Sequence, residues 1–325
     1  MRRCNRFEFA TCSDRNHGPN RAQPRYAGAT FFGATPLRAI TAAVLTATFI
    51  FATPALAQDA TGSTPPAVDA NADTGGDFAV VGLGAAVLPD YEGSDDYSFS
   101  PVPAATGRVS GFNFLLAGNR LSVDLVPDGI GPTWDFQAGP IAVLNLNRSS
   151  TKGIDDAQVR ALGKVDTAIE LGGYVGIGKT GVITSQFDRL SLSVSYRKDV
   201  AGGHKSTVLA PTVNYVTPLS TKALVGLFVS GERVGEGYAD SYFSITPAQS
   251  VASGLPVYNA RGGWKNWTVG ALAGRSLTGD LTGGLQLFGT VVYRKLLNDF
   301  ADSPIVSRNG STSQWLGALG IAYSF

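Results

Sequence analysis

The sequence predicts an all-β protein, a transmembrane antiparallel β-barrel of about 12 strands that follows an N-terminal signal peptide. Three observations favour this fold. Apolar and polar residues alternate from Phe78 to the C-terminus, which is the period of a strand with two different faces. The alternating segments are about 10 to 13 residues long, as tilted membrane strands are, whereas soluble strands are about half that length. Aromatic residues lie near the segment ends, as in interfacial girdles: Trp134, Tyr196, Tyr215, Trp267, Tyr293, Trp315 and Tyr323.

The composition excludes several other classes of protein. The chain has 40 glycines, 16% charged residues and a net charge of +1. It lacks the uninterrupted apolar run of about 18 residues that a spanning helix requires, which excludes a polytopic helical membrane protein. Its aromatic and β-branched content is too high for a disordered chain. The near-zero net charge gives no electrostatic basis for binding nucleic acid.

The N-terminal segment has the features of an export signal. Residues 39–52 form an apolar run, and Ala55 and Ala57 fit the small-residue cleavage rule, so we expect cleavage between Ala57 and Gln58. An N-terminal anchor helix is the alternative, although the run is short for a bilayer span.

These features divide the chain into three parts. Residues 1–57 are predicted to be the signal peptide with a mis-assigned N-terminal extension, because residues 1–37 place the first Met far from the apolar run. Residues 58–76 are predicted to be a flexible periplasmic lead-in, and residues 77–325 the outer-membrane barrel. Cleavage would also remove Cys4 and Cys12, so no disulfide framework or thiolate metal site is expected.

Each predicted strand has one apolar face for lipid and one polar face for the barrel interior. In residues 190–197, Leu192 and Val194 lie on the apolar face and Arg197 on the opposite one. A soluble β-sandwich also alternates, so the strand lengths and aromatic positions decide for a barrel. The predicted strands are 78–88, 99–108, 112–117, 120–126, 134–146, 162–178, 188–199, 206–217, 222–234, 266–275, 285–297 and 314–325. Ten strands are the alternative, if residues 112–126 form a short hairpin outside the main wall.

The connections between these strands alternate in length. The short ones are 126–133, 179–187, 218–221 and 276–284, and the long ones are 89–98, 147–161, 235–265 and 298–313, with a shorter one at 200–205. Bacterial barrels have short periplasmic turns and long extracellular loops, so this alternation indicates a bacterial outer-membrane barrel.

A network of charged residues is predicted on the interior faces of the strands. Its members are Arg120, Asp124, Asp135, Asp166, Glu170, Arg197 and Arg294. An isolated ion in a confined interior is costly, so we expect pairing, in particular between Glu170 and Arg197 across the 179–187 turn. Balanced charge favours a partly closed lumen over a selective channel.

Several segments, in the same order, resemble the MipA/OmpV family of outer-membrane proteins. They are Leu88–Tyr97, Asp199–His204, Tyr238–Phe243 with the following Ser253–Leu255, Asn298–Val306 and the terminal Tyr323–Phe325. Ser206 departs from the pattern, since the family has glycine at this position. The resemblance spans roughly the whole predicted barrel.

This resemblance implies a non-enzymatic outer-membrane barrel that serves as a scaffold or adaptor for murein-processing enzymes, or in envelope maintenance. The implied partners are murein hydrolase and synthase enzymes, outer-membrane lipid and lipopolysaccharide, and the barrel-assembly machinery. By resemblance to outer-membrane barrels generally, Tyr323 and Phe325 would form the assembly signal. A small-solute pore is the alternative function.

Two further patterns contain residue types that can carry chemistry. His204 and Ser206 resemble the His-x-Ser pair of outer-membrane lipid A deacylases, in which serine attacks an ester and histidine acts as base. The simpler interpretation is a loop histidine followed by the first residue of a strand. The acidic segment from Asp90 to Asp96 could bind divalent cations, but a solvated loop is the simpler interpretation. We therefore predict no catalytic, cofactor-binding or metal-binding residues.

Overall fold

The computed structural model describes residues 76–127 and 134–325. The predicted signal peptide, its cleavage after Ala57 and the lead-in up to residue 75 lie outside the described residues. Among the helices that are described, none has the length and apolar character to span a membrane.

The described residues form twelve antiparallel strands that close into a barrel, with β1 paired to β12. The strands are β1 Phe78–Pro89, β2 Tyr97–Val109, β3 Phe112–Ala117, β4 Arg120–Asp124, β5 Trp134–Asn145, β6 Ala168–Thr180, β7 Arg189–Asp199, β8 Thr207–Ser220, β9 Ala223–Val234, β10 Gly263–Ser276, β11 Gly284–Leu296 and β12 Ser313–Ser324. The predicted fold class is confirmed, and so is the count of twelve strands.

The alternation of the sequence becomes the two faces of this wall. In β12, Trp315, Leu319 and Ile321 are exposed on the outer surface, whereas Leu316 and Ala322 are buried inside. Aromatic rings pack across neighbouring strands near the strand ends, with the Tyr293 ring centroid 5.4 Å from that of Trp267 and 5.0 Å from that of Trp315. An apolar outer belt with aromatic rings at its margin is the surface that lipid requires.

The two ends of the barrel differ. At one end, called here the turn end, the connections are short and the chain ends at Phe325. At the other, the loop end, the connections carry helices α1 Ala157–Ala161, α2 Glu236–Tyr242, α3 Pro247–Ser253, α4 Asn298–Asp302 and α5 Pro304–Ser307.

The loop-end connections pack together and cover the barrel mouth. Tyr238, Phe243 and Phe300 belong to one buried apolar cluster, and Tyr91 and Ile154 to a second. The loop end is therefore closed by a folded cap with its own core.

Strands β3 and β4 form a hairpin that rises only partway up the wall. Its tip bonds to both neighbours: the Gly118 amide donates to the Pro103 carbonyl at 2.8 Å, and the Leu144 amide donates to the Asn119 carbonyl at 2.9 Å. Beyond the tip, β2 has no strand partner on this side among the described residues. Pro103 lies level with the tip and Pro101 beyond it, and at these positions a missing N–H costs no sheet hydrogen bond. The hairpin belongs to the wall, which excludes the ten-strand alternative.

The start of β6 corrects the sequence prediction of a strand from residue 162. The strand begins at Ala168, because Leu162 ends helix α1 and is buried in the cap, and Val165 packs against the other cap cluster. Val165 is in phase with the outward-facing Ile169 and Leu171 of β6, but it faces the cap core rather than lipid.

The turn between β6 and β7 is fixed by one carboxylate. The backbone amides of Val182, Ile183 and Thr184 donate to Asp188 at 2.6, 2.8 and 2.5 Å. Burial alone would raise the pKa of Asp188, but these bonds together outweigh it and hold the pKa well below its usual range.

Replacing Asp188 with Asn should destabilise the barrel at pH 7 by about 1–3 kcal/mol, because the amide donors lose a charged acceptor. A carboxylate whose pKa is lower in the folded than in the unfolded state stabilises the fold above its unfolded pKa, and this stabilisation is lost as pH falls. The difference in stability between Asp188→Asn and wild type should therefore shrink below about pH 4. Urea unfolding of both proteins at pH 7 and pH 3 measures this difference. The exposed Asp95→Asn is the control, and a difference that does not change with pH would contradict the assignment.

Candidate functional site

A cluster of buried charges lies inside the barrel beneath the cap, and its first half contains the predicted pair. Arg197 Nε donates to Glu170 Oε2 at 2.8 Å, and Arg197 Nη2 donates to Glu232 Oε1 at 3.1 Å. All three side chains are about 1% exposed. The predicted pairing of Glu170 with Arg197 is therefore confirmed.

The pair is diagonal rather than directly opposite, and a glycine makes room for it. Arg197 faces Gly172 in the register of β6 and β7, while Glu170 faces Asp199. A Cβ at Gly172 would lie 1.9 Å from the Tyr196 carbonyl oxygen and 2.8 Å from the Arg197 Cα. The backbones approach closely here, so the arginine crosses to a carboxylate two residues away along β6.

The second half of the cluster joins the cap to the wall. Lys265 Nζ lies 2.7 Å from Glu92 Oε1 and 2.9 Å from Glu232 Oε2, and Arg294 Nη1 lies 3.6 Å from Glu92 Oε1. The Tyr238 hydroxyl of α2 donates to Glu92 at 2.9 Å. We call Glu92, Glu170, Glu232, Arg197, Lys265 and Arg294 the luminal charge network. It holds three carboxylates and three cations.

The remaining predicted interior charges lie apart from this network. Asp135 pairs with Arg189 near the turn end. Asp124 accepts the backbone amides of Val126 and Ala138 at 3.1 Å each, which ties the end of β4 to β5. Arg120 lies in the wall of a cavity described below.

Asp166 was predicted to face the interior, and this prediction is wrong. The residue precedes β6 on the loop-end connection, its side chain is 82% exposed, and it lies 3.9 Å from Lys164. The physical reason is the late start of β6, which leaves residues 163–167 outside the wall.

The network also contains residues that the sequence reading did not assign to the lumen. Glu232 follows the alternation of β9 and could have been found from it. Glu92 gave no such signal, because it lies in the acidic first loop and turns inward. Lys265 is hidden by a register shift between Trp264 and Asn266, which buries two consecutive residues and breaks the period of two.

His204 lies against the network with both ring nitrogens occupied. Nε2 lies 3.2 Å from Glu170 Oε1, and Nδ1 accepts the Ser206 backbone amide at 3.2 Å. Because Nδ1 is an acceptor, the proton lies on Nε2 and points at Glu170. In this arrangement the ring has no free nitrogen for the Ser206 hydroxyl.

Three carboxylates of the cap could hold a cation by geometry. Oxygens of Asp90, Asp96 and Asp155 lie within 4.8 Å of one another, and burial raises the pKa of Asp90. Glu92 is not part of this group, because its carboxylate lies in the luminal charge network.

An apolar cavity of about 250 Å³ occupies the lumen below the network. Its wall is formed mainly by β1–β3 and β9–β12, and its apolar lining includes Ala86, Leu88, Val102, Leu115, Leu272 and Leu316. Leu281 lies at its turn-end limit. The charged residues that line it are Arg120 and Arg294.

A closed antiparallel barrel with an apolar outer belt, short turns at one end and long loops at the other is a bacterial outer-membrane barrel. The family model of MltA-interacting protein MipA matches residues 81–325. The chain belongs to this family, as the sequence resemblance predicted, and it is located in the outer membrane.

Other comparisons are distant. No curated protein matches the chain significantly. OmpT of Vibrio cholerae is similar at 6% identity and a TM-score of 0.31, covering 77% of this chain and 97% of that one. The toluene transporter TodX of Pseudomonas putida is similar at 8% identity and a TM-score of 0.33, covering 80% and 92%. Similarities at this level carry no conclusion about the lumen.

Proposed function

We propose that this protein is a non-enzymatic, non-conducting scaffold of the outer membrane that holds a murein-processing enzyme at its periplasmic face. The observation that carries the proposal is the blocked lumen. The luminal charge network spans from the wall to the cap, and the cap has a core of its own. A barrel built in this way serves as a rigid support more readily than as a passage.

The turn end offers a surface for the partner. Short turns are periplasmic in bacterial barrels, and the enzymes that process murein work in the periplasm. Apolar side chains are exposed on three of these turns: Ile183, Phe187, Leu219 and Leu277. Exposed apolar groups on a polar rim are typical of protein contact sites. The name of the family supports a murein hydrolase as the partner.

A photo-crosslinking residue at Ile183, which is 65% exposed, should capture a murein hydrolase or synthase in cells. The same residue at Val251 in the cap, which is 89% exposed, should capture neither. Mass spectrometry of the crosslinked products identifies the partners. Equal capture at both positions, or no murein enzyme at Ile183, would contradict the scaffold, and steady conductance of the purified protein in a planar bilayer would favour a pore.

The enzyme alternative has its own test. His204→Ala should leave lipid A acylation unchanged, because the His204 nitrogens are engaged by Glu170 and by the Ser206 amide rather than by the Ser206 hydroxyl. The mass spectrum of lipid A from cells that express each variant measures this. A change in lipid A mass that wild-type protein causes, and that both His204→Ala and Ser206→Ala abolish, would support a deacylase function.

A further inference from the structure

We infer that the luminal cavity is a binding site for a single-chain carboxylate, with its head group on Arg120 and its hydrocarbon chain in the cavity. The inference goes beyond the scaffold proposal and does not depend on it. It rests on the charge state of Arg120, the lining of the cavity and its size.

Among the residues that the structure describes, Arg120 has no ion-pair partner. Within the described residues it makes no hydrogen bond or ion pair, and its Nε is enclosed without an acceptor. Glu232 is engaged by Arg197 and Lys265. Val143 lies between Arg120 and Glu170 in the register, so β5 separates Arg120 from the Glu170 carboxylate. That carboxylate is already used by Arg197, Asn145 and His204.

The luminal charge network is balanced without Arg120, because its three carboxylates match its three cations. Arg120 is therefore a surplus positive charge in the lumen. A buried guanidinium is stable when it forms a forked pair with a carboxylate, which supplies two oxygens in the matching geometry. The surplus charge therefore favours the binding of an anion beside Arg120.

The surroundings of Arg120 define the rest of the ligand. The cavity that it lines is formed by aliphatic and aromatic side chains, with Thr106, Thr290 and Gln286 as its uncharged polar side chains. Such a lining favours hydrocarbon over water. An anion with a hydrocarbon chain would pair with the guanidinium and place its chain against the apolar lining.

The volume limits the ligand to one chain. A cavity of about 150 Å³ holds the six carbons of benzene, so by proportion 250 Å³ holds about ten carbons. This excludes a phospholipid with two long chains. The cavity extends to Gly118 in the tip of the β3–β4 hairpin and to Val102 on the adjacent β2, where the wall is low.

The test uses the whole barrel in lipid nanodiscs free of detergent, with decanoate as the probe and decanol as its uncharged equivalent. Equilibrium dialysis with labelled probe, corrected for empty nanodiscs, should show one saturable decanoate site and binding of decanol about 10- to 100-fold weaker. Arg120→Gln should remove this preference, and Arg120→Lys should restore part of it. Arg275→Gln, which removes an exposed cation on the outer face of β10, should have no effect.

A second variant tests the cavity rather than the charge. Ala318→Phe places a ring in the lumen and should weaken both probes. Wild-type protein that binds neither probe, or both equally, would overturn the inference whether or not the variants fold. The same holds for an Arg120→Gln protein that keeps the decanoate preference. None of these outcomes bears on the crosslinking result for the scaffold.

Discussion

Replacing Glu232 with Gln should lower the free energy of unfolding by about 3–5 kcal/mol, which is the cost of removing one partner from a buried ion pair. Glu232 lies 3.1 Å from Arg197, 2.9 Å from Lys265 and 3.2 Å from the Asn266 amide nitrogen. Glutamine keeps the shape but not the charge, so two buried cations would share the remaining carboxylates. Urea unfolding in lipid vesicles, followed by tryptophan fluorescence, measures the change.

The matched control is Asp166→Asn, which makes the same chemical change on an exposed side chain. Asp166 lies 3.9 Å from Lys164 in solvent, and exposed pairs of this kind contribute little to stability. We expect no measurable change. If both variants lost the same stability, the division between the luminal charge network and the surface would be wrong.

Deletion of Phe325 should reduce the amount of protein in the outer membrane several-fold more than Tyr293→Ala. The final strand presents Tyr323 and Phe325 on its outer face, with their rings 4.8 Å apart, and the Phe325 amide donates to the Ala79 carbonyl at 2.9 Å. Until the barrel closes, this strand edge is unpaired and available for strand addition by an assembly partner. Tyr293 also belongs to the aromatic belts, packed between Trp267 and Trp315, but it lies at the loop end of an interior strand.

Immunoblots of isolated outer membranes give the levels of both variants, and the heat-dependent gel shift of folded barrels separates assembly from stability. Equal levels would show that Phe325 serves only as an anchor in the membrane interface. Either result would leave the assignment of the fold as a barrel unchanged.

The wall was predictable from sequence because the period of two is enforced by lipid on one side and a filled lumen on the other. Glu170 and Arg197 could be paired for the same reason, since both lie on regular strands joined by a short turn. Where the chain leaves regular strands the period no longer reports the environment. Glu92 enters the lumen from a loop, and Lys265 enters it through a register shift.

The cap was the least predictable part. Val165, for example, continues the strand-like pattern of the sequence although it packs against the helices of the cap. The helices have four to seven residues, too few for a helical period to stand out. Their positions follow from long-range contacts, for example Arg148 donating to the carbonyls of Ser241 and Tyr242.

The half-height hairpin gives the barrel a preferred line of opening. The ladder between β4 and β5 runs from Arg120 to Ser122, with single bonds to Asn119 and from Leu125 beyond its ends, whereas β1 and β12 pair from Val80 to Val87. The ladder that closes the barrel between its first and last strands is thus longer than the ladder between β4 and β5. A local opening of the wall between β4 and β5 would leave the pairing of β1 with β12 intact.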